Sequence, residues 1–441
     1  MRFVVPLNFL LFFQAILLAQ PHLMLRSSDA VSTCTITSLG DPILLKEKAI
    51  AEVQLSTTYQ SIVLPENGFY FINSNEVSLG FQAFENDSLF ADWMDKEQRF
   101  ILRGGTTKKL LDESVAVDSL CDARLLEFLK LPSIRRSKEV KYFADTLQKR
   151  YALDASNWLR NYVFYRAAYV EIVSESAPRA DLMKKYFERQ AEPENPAWIE
   201  SFRNLYKGFL VQKMNGRMGN SLVEALREHA WTKFWNQYRD DSLSMHPEIR
   251  EFAFLFGVSQ LKSQNNISGI SFEWTIDSLA SLSEFPNVKH ATLALKNEWN
   301  KYAKGADVGD FTFTTTAGKS MRLSDLQGKP VYLCYYPAFS QSTYREIAML
   351  QAFKERYKNE IEFLVIVKNA DRKGLLKALE AIKSTLMVSE FASCSQSFSA
   401  LPENLNSPGY FLINKSGKFF KAPAEGPETG VEDSFLGLVK D

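Results

Sequence analysis

Between residues 33 and 108, apolar and polar residues alternate in short runs, AEVQLSTTY, QSIVLPENGFYFI, EVSLGFQAF and RFILRG, separated by Pro65-Glu66-Asn67-Gly68 and Glu85-Asn86-Asp87. A period of two puts every second side chain on one face. The runs therefore predict half-buried strands joined by tight turns, an antiparallel β-sandwich module ending near Gly104-Gly105. From 109 to 302 the period becomes helical. Trp158, Tyr162, Tyr165 and Tyr169 follow a 4-3-4 spacing, and Trp198, Phe202, Leu205 and Phe209 repeat it after Asn195-Pro196, an N-cap and a first-turn proline. Further helices are predicted over 221–238, over 247–261 with Ile249, Phe252, Leu255 and Phe256 inward, and over 288–302. These stripes read as core rather than as a ligand groove, because any packed amphipathic helix presents one apolar face at that spacing. Gly305 and Ala306 then predict an exposed linker, followed by an apolar strand at 331–336, a helix over about 344–357, a strand at 361–367 and a hairpin at Gly417-Lys418.

The chain opens with Met1-Arg2 and an apolar run over 3–19, interrupted by Pro6, Asn8 and Gln14 and followed by Gln20-Pro21. A short basic start before an apolar core of that length predicts a secretory signal peptide, residues 1–19, cleaved near Ala19. The competing reading is an uncleaved anchor, since apolar character continues to Leu25. The 441 residues are 46% hydrophobic, enough for two or three domains with cores of their own. With 52 basic and 52 acidic residues the net charge is zero, which supplies no drive toward nucleic acid or an anionic membrane. Membrane contact is expected only through an uncleaved N-terminal segment. Four histidines leave little for a His-built metal or acid–base site, so neither metal nor cofactor is expected.

Candidate chemistry centres on Ser340-Gln341-Ser342-Thr343, directly after the 331–336 strand. At a helix start these hydroxyls can accept hydrogen bonds from free backbone N–H groups. A hydroxyl nucleophile here would lack a base, because no histidine follows His290. Around the turn lie Gly309-Asp310-Phe311, Gly318-Lys319, Leu323-Ser324-Asp325-Leu326 with Gly328-Lys329, and the segment from Ser407-Pro408-Gly409 to Gly417-Lys418. In that order, over about 303–441, these motifs resemble the periplasmic thioredoxin-like proteins of the TlpA and peroxiredoxin-related type. The resemblance implies a thioredoxin fold with a C-x-x-C pair where this chain has Ser340 and Thr343, faced by a cis-proline at Pro408. Without sulfur, thiol–disulfide exchange at that turn is excluded. A peroxiredoxin register counted from Pro337 puts Gln341 at that family's threonine and Tyr344 at its reactive cysteine, so the nucleophile is missing there too.

Four cysteines occur, Cys34, Cys121, Cys334 and Cys394, and four allow three pairings. Cys334, inside VYLCYY, reads as a small buried hydrophobe, and Cys394 falls in an irregular stretch. The order of signal, β module, helical region (109–302) and C-terminal domain (303–441) also resembles secreted thioredoxin-like proteins of Gram-negative envelopes. The expectation is a multidomain α+β protein of the periplasm or cell envelope, redox-inactive, that binds an envelope or secreted polypeptide or acts as a scaffold. Its groove would consist of Phe339, Ser340, Gln341, Ser342, Ser407 and Pro408. The alternative is a thiol–disulfide oxidoreductase using displaced thiols, Cys334 and Cys394.

Overall fold

The computed structural model describes residues 20–28, 33–39, 43, 48–74, 77–84, 87–94, 96–97, 99–103, 105–152, 156–216, 219–239, 245–264, 272–369, 372–394 and 408–440. Residues 1–19, the expected signal peptide, lie outside them. The chain forms two compact units, one ending at Leu295 and one starting at Lys296. Among the described residues no helix is long and apolar enough to cross a membrane.

The first unit opens with eight strands, β1 His22–Ser27, β2 Thr33–Ser38, β3 Lys48–Gln54, β4 Gln60–Val63, β5 Gly68–Ser74, β6 Val77–Ala83, β7 Ser88–Met94 and β8 Arg99–Arg103. They form two four-stranded sheets, ordered β4-β1-β7-β8 and β3-β2-β5-β6. Leu23, Leu25, Ala91 and Trp93 from one sheet and Ile36, Tyr70, Ile72 and Phe81 from the other share one core, which makes the pair a sandwich. The sandwich begins eleven residues earlier than the period-two runs suggested, at β1, and β1 pairs parallel with β7. Its six residues, HLMLRS, merge in sequence with the apolar N-terminal run, yet they alternate strictly between half-buried and buried. Leu23 and Leu25 are fully buried between β4 and β7, so a membrane anchor extending to Leu25 would remove a central strand.

Among the described residues eleven helices follow: α1 Gly105–Phe128, α2 Ser133–Arg150, α3 Asn157–Val173, α4 Arg179–Phe187, α5 Pro196–Tyr206, α6 Phe209–Asn215, α7 Gly219–Arg227, α8 Trp231–Arg239, α9 Pro247–Gln264, α10 Phe272–Leu282 and α11 Pro286–Asn300. Asp87, in the loop before β7, accepts from the Thr107 N–H at 2.9 Å and the Thr107 hydroxyl at 2.7 Å, tying α1 to the sandwich. Asn195 caps α5 through its side chain, with Pro196 in the first turn. Trp198 and Phe202 stack at 4.8 Å and meet Phe187 and Phe252, so the aromatic stripe is helix core.

The second unit holds one seven-stranded sheet of β9 Thr312–Thr315, β10 Ser320–Arg322, β11 Val331–Ala338, β12 Glu362–Asn369, β13 Met387–Cys394, β14 Gly409–Ile413 and β15 Phe419–Lys421, in the order β10-β9-β13-β12-β11-β14-β15. Helix α12 Gln341–Tyr357 links the parallel strands β11 and β12, α13 Arg372–Ala381 links β12 and β13, and α14 Glu432–Lys440 closes the chain. Strand β14 runs antiparallel to β11. This strand–helix–strand core with an antiparallel hairpin is a thioredoxin fold. Residues 332, 334 and 336 of β11 face the helices, while 331, 333 and 335 face Phe311, Phe313 and Leu323.

The linker expected at Gly305-Ala306 lies inside the second unit and is paired within it, although Gly305 is exposed as expected. The Gly305 N–H donates to the Phe419 carbonyl at 2.7 Å, the Phe419 N–H to the Ala306 carbonyl at 2.8 Å, and the Val308 N–H to the Gly417 carbonyl at 3.2 Å. Those partners lie over a hundred residues away in the chain, beyond the reach of local pattern. Limited proteolysis should therefore spare 305–308, and an early cut there would contradict the pairing. In the sandwich, Leu25→Ala should cost about 2–5 kcal/mol in chemical denaturation, against less than about 1 kcal/mol for Met24→Ala on the opposite face of β1.

Candidate functional site

Strand β11 leaves the sheet at Ala338 and turns into α12 through Phe339 and Ser340. The helix starts at Gln341, three residues before the expected start, with Ser340 as N-cap in extended conformation. Ser340 Oγ accepts the Thr343 N–H at 3.2 Å, and the Tyr344 N–H reaches the Ser340 carbonyl at 2.9 Å. Thr343 is buried, and its hydroxyl donates to the Ala338 carbonyl at 3.0 Å, across the turn that joins strand to helix. Ser342 Oγ lies 2.8 Å and Thr343 Oγ1 3.0 Å from Ser340 Oγ. The three hydroxyls thus satisfy one another and the helix start, and among the described residues no carboxylate or imidazole takes part in their hydrogen bonds.

Of the expected groove residues, Phe339 packs partly buried against the core, and Ser340, Gln341 and Ser342 are exposed. Ser407 lies outside the described residues, and with it the Ser407–Pro408 bond; the cis X-Pro bond among the described residues is Ala422–Pro423. Tyr335 pairs with Gly409 in the β11–β14 register, which sets the exposed Pro408 level with Tyr336, at the end of β11 from which the turn departs. Tyr344, the peroxiredoxin-register position, is half-buried on the first turn of α12.

One group at this site was not legible beforehand. Glu346, which reads in sequence as half of an exposed Arg345–Glu346 pair, turns inward, and its Oε2 accepts the Tyr336 hydroxyl at 2.9 Å and the Tyr410 hydroxyl at 2.6 Å. The carboxylate bridges β11, β14 and α12 beneath the capped turn. Tyr336 is fully buried and Tyr410 half-buried, and their rings meet edge to face at 6.2 Å. The signal lies in periodicity: 332, 334 and 336 share one face of β11, and helix positions 343, 346, 347 and 350 share the face that covers it.

Cys334 sits on that same face, fully buried. Burial pushes its thiol well above the ordinary range and the nearby Glu346 carboxylate pushes it further, while the neighbouring Tyr332 and Tyr336 hydroxyls oppose this. Burial likewise raises the Tyr336 and Tyr410 phenols, and the bond to Glu346 adds to the shift. The displaced-thiol pairing fails on geometry as well. Cys334 is level with Val365 on β12, which is level with Val388 on β13, and Cys394 lies six residues further along β13, opposite Phe313. Two strand spacings of about 4.8 Å and an offset of roughly 20 Å along the strand exceed the ~7 Å Cα reach of a disulfide. Cys334 is a free thiol.

A family model described as the AhpC/TSA family matches residues 305–420. No curated protein matches. Among solved structures, a candidate thiol-disulfide oxidoreductase from Bacteroides vulgatus is 22% identical, with 31% of this chain covering 98% of that one at a TM-score of 0.28. A thiol:disulfide interchange protein from Bacteroides sp. is 17% identical, with 32% of this chain covering 93% of that one at 0.27. The peroxidoxin BcpB from Mycobacterium tuberculosis is 18% identical, with 31% covering 96% at 0.26. The fold assignment therefore rests on strand order and on the family match, which both fall in the C-terminal unit.

Two outcomes follow from this geometry. Glu346→Ala strands two tyrosine hydroxyls and should cost about 2 kcal/mol in urea denaturation, against less than about 0.5 kcal/mol for Arg345→Ala. The thiol and phenols ionise more easily in the unfolded chain, so they leave stability intact below their ordinary values, about 8.5 and 10, and erode it as pH rises past them. The urea midpoint should fall progressively above about pH 8.5, and a midpoint that rises there would contradict the burial of Cys334 and Tyr336.

Proposed function

We propose that this chain is an exported envelope protein whose thioredoxin-like domain carries no thiol chemistry and holds extended polypeptide at the Phe339-Ser340-Gln341-Ser342 turn and Pro408. The observation that carries the reading is the helix start itself. Hydroxyls occupy the place where the family keeps sulfur, and they are spent on capping α12. The other thiol of this region described by its side chain, Cys334, is buried and has its pKa raised, the opposite of a redox nucleophile. A thioredoxin domain can hold a chain by backbone hydrogen bonding beside its turn, in a mode that needs no sulfur. The exposed side chains of Ser340, Gln341, Ser342 and Pro408 at one end of the sheet leave that mode open.

Two measurements test this. The purified protein should not reduce insulin above a no-protein control, and turnover that disappears in Cys334→Ser would overturn the redox-inactive reading. Ser340→Ala should cost about 0.5–2 kcal/mol of stability through loss of the cap. Ser340→Asp retains a cap, so it should fold as stably as the parent while reducing capture of polypeptide from an envelope extract, because it puts a charge where a backbone must approach. Undiminished capture by Ser340→Asp would leave the domain as a scaffold only.

A further inference from the structure

Eleven large hydrophobic side chains are notably exposed among the described residues, and six of them fall in the single hairpin formed by α1 and α2. Three gather at its turn and the start of α2, Leu126 at 65% exposed, Leu129 at 45% and Ile134 at 78%, and Tyr142, 72% exposed, follows two turns further along α2. Leu126, Leu129 and Ile134 lie within nine residues spanning the end of α1, the turn and the start of α2, which puts them at one tip. On α2, Ile134, Lys138, Lys141 and Tyr142 fall on a stripe opposite the buried Val140, Ala144 and Leu147. The tip is therefore apolar on a surface that the fold does not cover. Phe128 and Phe143 meet at 5.6 Å across the hairpin and hold its two helices together.

The same segment departs from the neutrality of the whole chain. Residues 124–150 carry eight basic and three acidic side chains. The three acids are already engaged: Glu127 with Arg124 at 2.6 Å, Glu139 with Arg135 at 3.8 Å and Asp145 with Lys185 at 3.8 Å. Lys130, Arg136, Lys138, Lys141, Lys149 and Arg150 are left with no carboxylate partner among the described residues. Whole-chain charge concealed this local excess.

We propose that the tip of the α1–α2 hairpin docks onto an anionic lipid bilayer. Exposed aliphatic side chains at a helical turn among long cationic ones match the interfacial mode, in which Leu and Ile enter the headgroup boundary while Lys and Arg extend to lipid phosphates. A protein partner would favour the reverse, since Lys is depleted from protein–protein contacts. This contact is separate from the N-terminal apolar run and does not depend on the thioredoxin-like domain or on its polypeptide groove.

The test uses the full chain with Ile134→Cys carrying a polarity-sensitive nitrobenzoxadiazole label. Cys394 is replaced by Ser so that the label reports one position, while Cys34, Cys121 and Cys334 are buried. Vesicles of equal parts phosphatidylglycerol and phosphatidylcholine should shift the emission to the blue, and phosphatidylcholine alone should not. High salt should reverse the shift. Lys138→Glu with Lys141→Glu should raise the lipid concentration at half-response by at least about tenfold. The same label at Val63→Cys, exposed on the sandwich, should stay silent. An equal shift on neutral vesicles, no loss on charge reversal, or a silent Ile134 label on vesicle-bound chain would each overturn the proposal, the last because the chain would then be attached through another segment.

Discussion

The candidate site depends on the burial of β11 from both sides. Six consecutive residues, 331–336, are buried, with one alternating set packed under the helices and the other over the opposite layer. A strand so placed has no freedom of register, since a slip of one residue would exchange the two sets. That constraint points Cys334 into the core, carries Tyr336 to Glu346 and ejects the chain at Ala338, where the turn and the helix start have to follow. The buried thiol and the exposed hydroxyl turn are therefore two consequences of one strand placement.

Charges buried elsewhere obey the same physics without forming a site. Arg166 in the helical region is 5% exposed and is surrounded by the carboxylates of Asp118, Asp122 and Glu200. Burial raises the Asp118 and Glu200 carboxyls, and the guanidinium counteracts this. The cluster joins α1, α3 and α5, with the guanidinium buried and the three carboxylates reaching it from the solvent side. Such a network carries a desolvation cost for the guanidinium that its pairing with the carboxylates offsets.

What the sequence disclosed and withheld divides along the range of the interactions. Period-two and helical spacings exposed the strands at 331–336 and 361–367 and the stripes through Trp198 and Phe252, because local alternation reports which face is inside. Ser340 was legible as a cap for the same reason: its partner is three residues away. Glu346 was hidden because its partners, Tyr336 and Tyr410, come from two strands, the second 64 residues on. The pairing of 305–308 with 417–419 and the separation of Cys334 from Cys394 are equally non-local, fixed by strand order. β1 was missed because six alternating residues beside a longer apolar run lose their period in it.

Hydroxyls at this helix start supply the local structure without any sulfur. Cysteine at such a position is activated by the positive end of the helix, which stabilises a thiolate. Serine and threonine there meet the same unsatisfied N–H groups as neutral acceptors, and the Thr343 hydroxyl adds a bond back to Ala338. The helix start thus remains satisfied without ionisation, and the Tyr336–Glu346–Tyr410 bridge fixes the helix to the sheet directly beneath. A domain stabilised in this way has no structural need for sulfur at the turn.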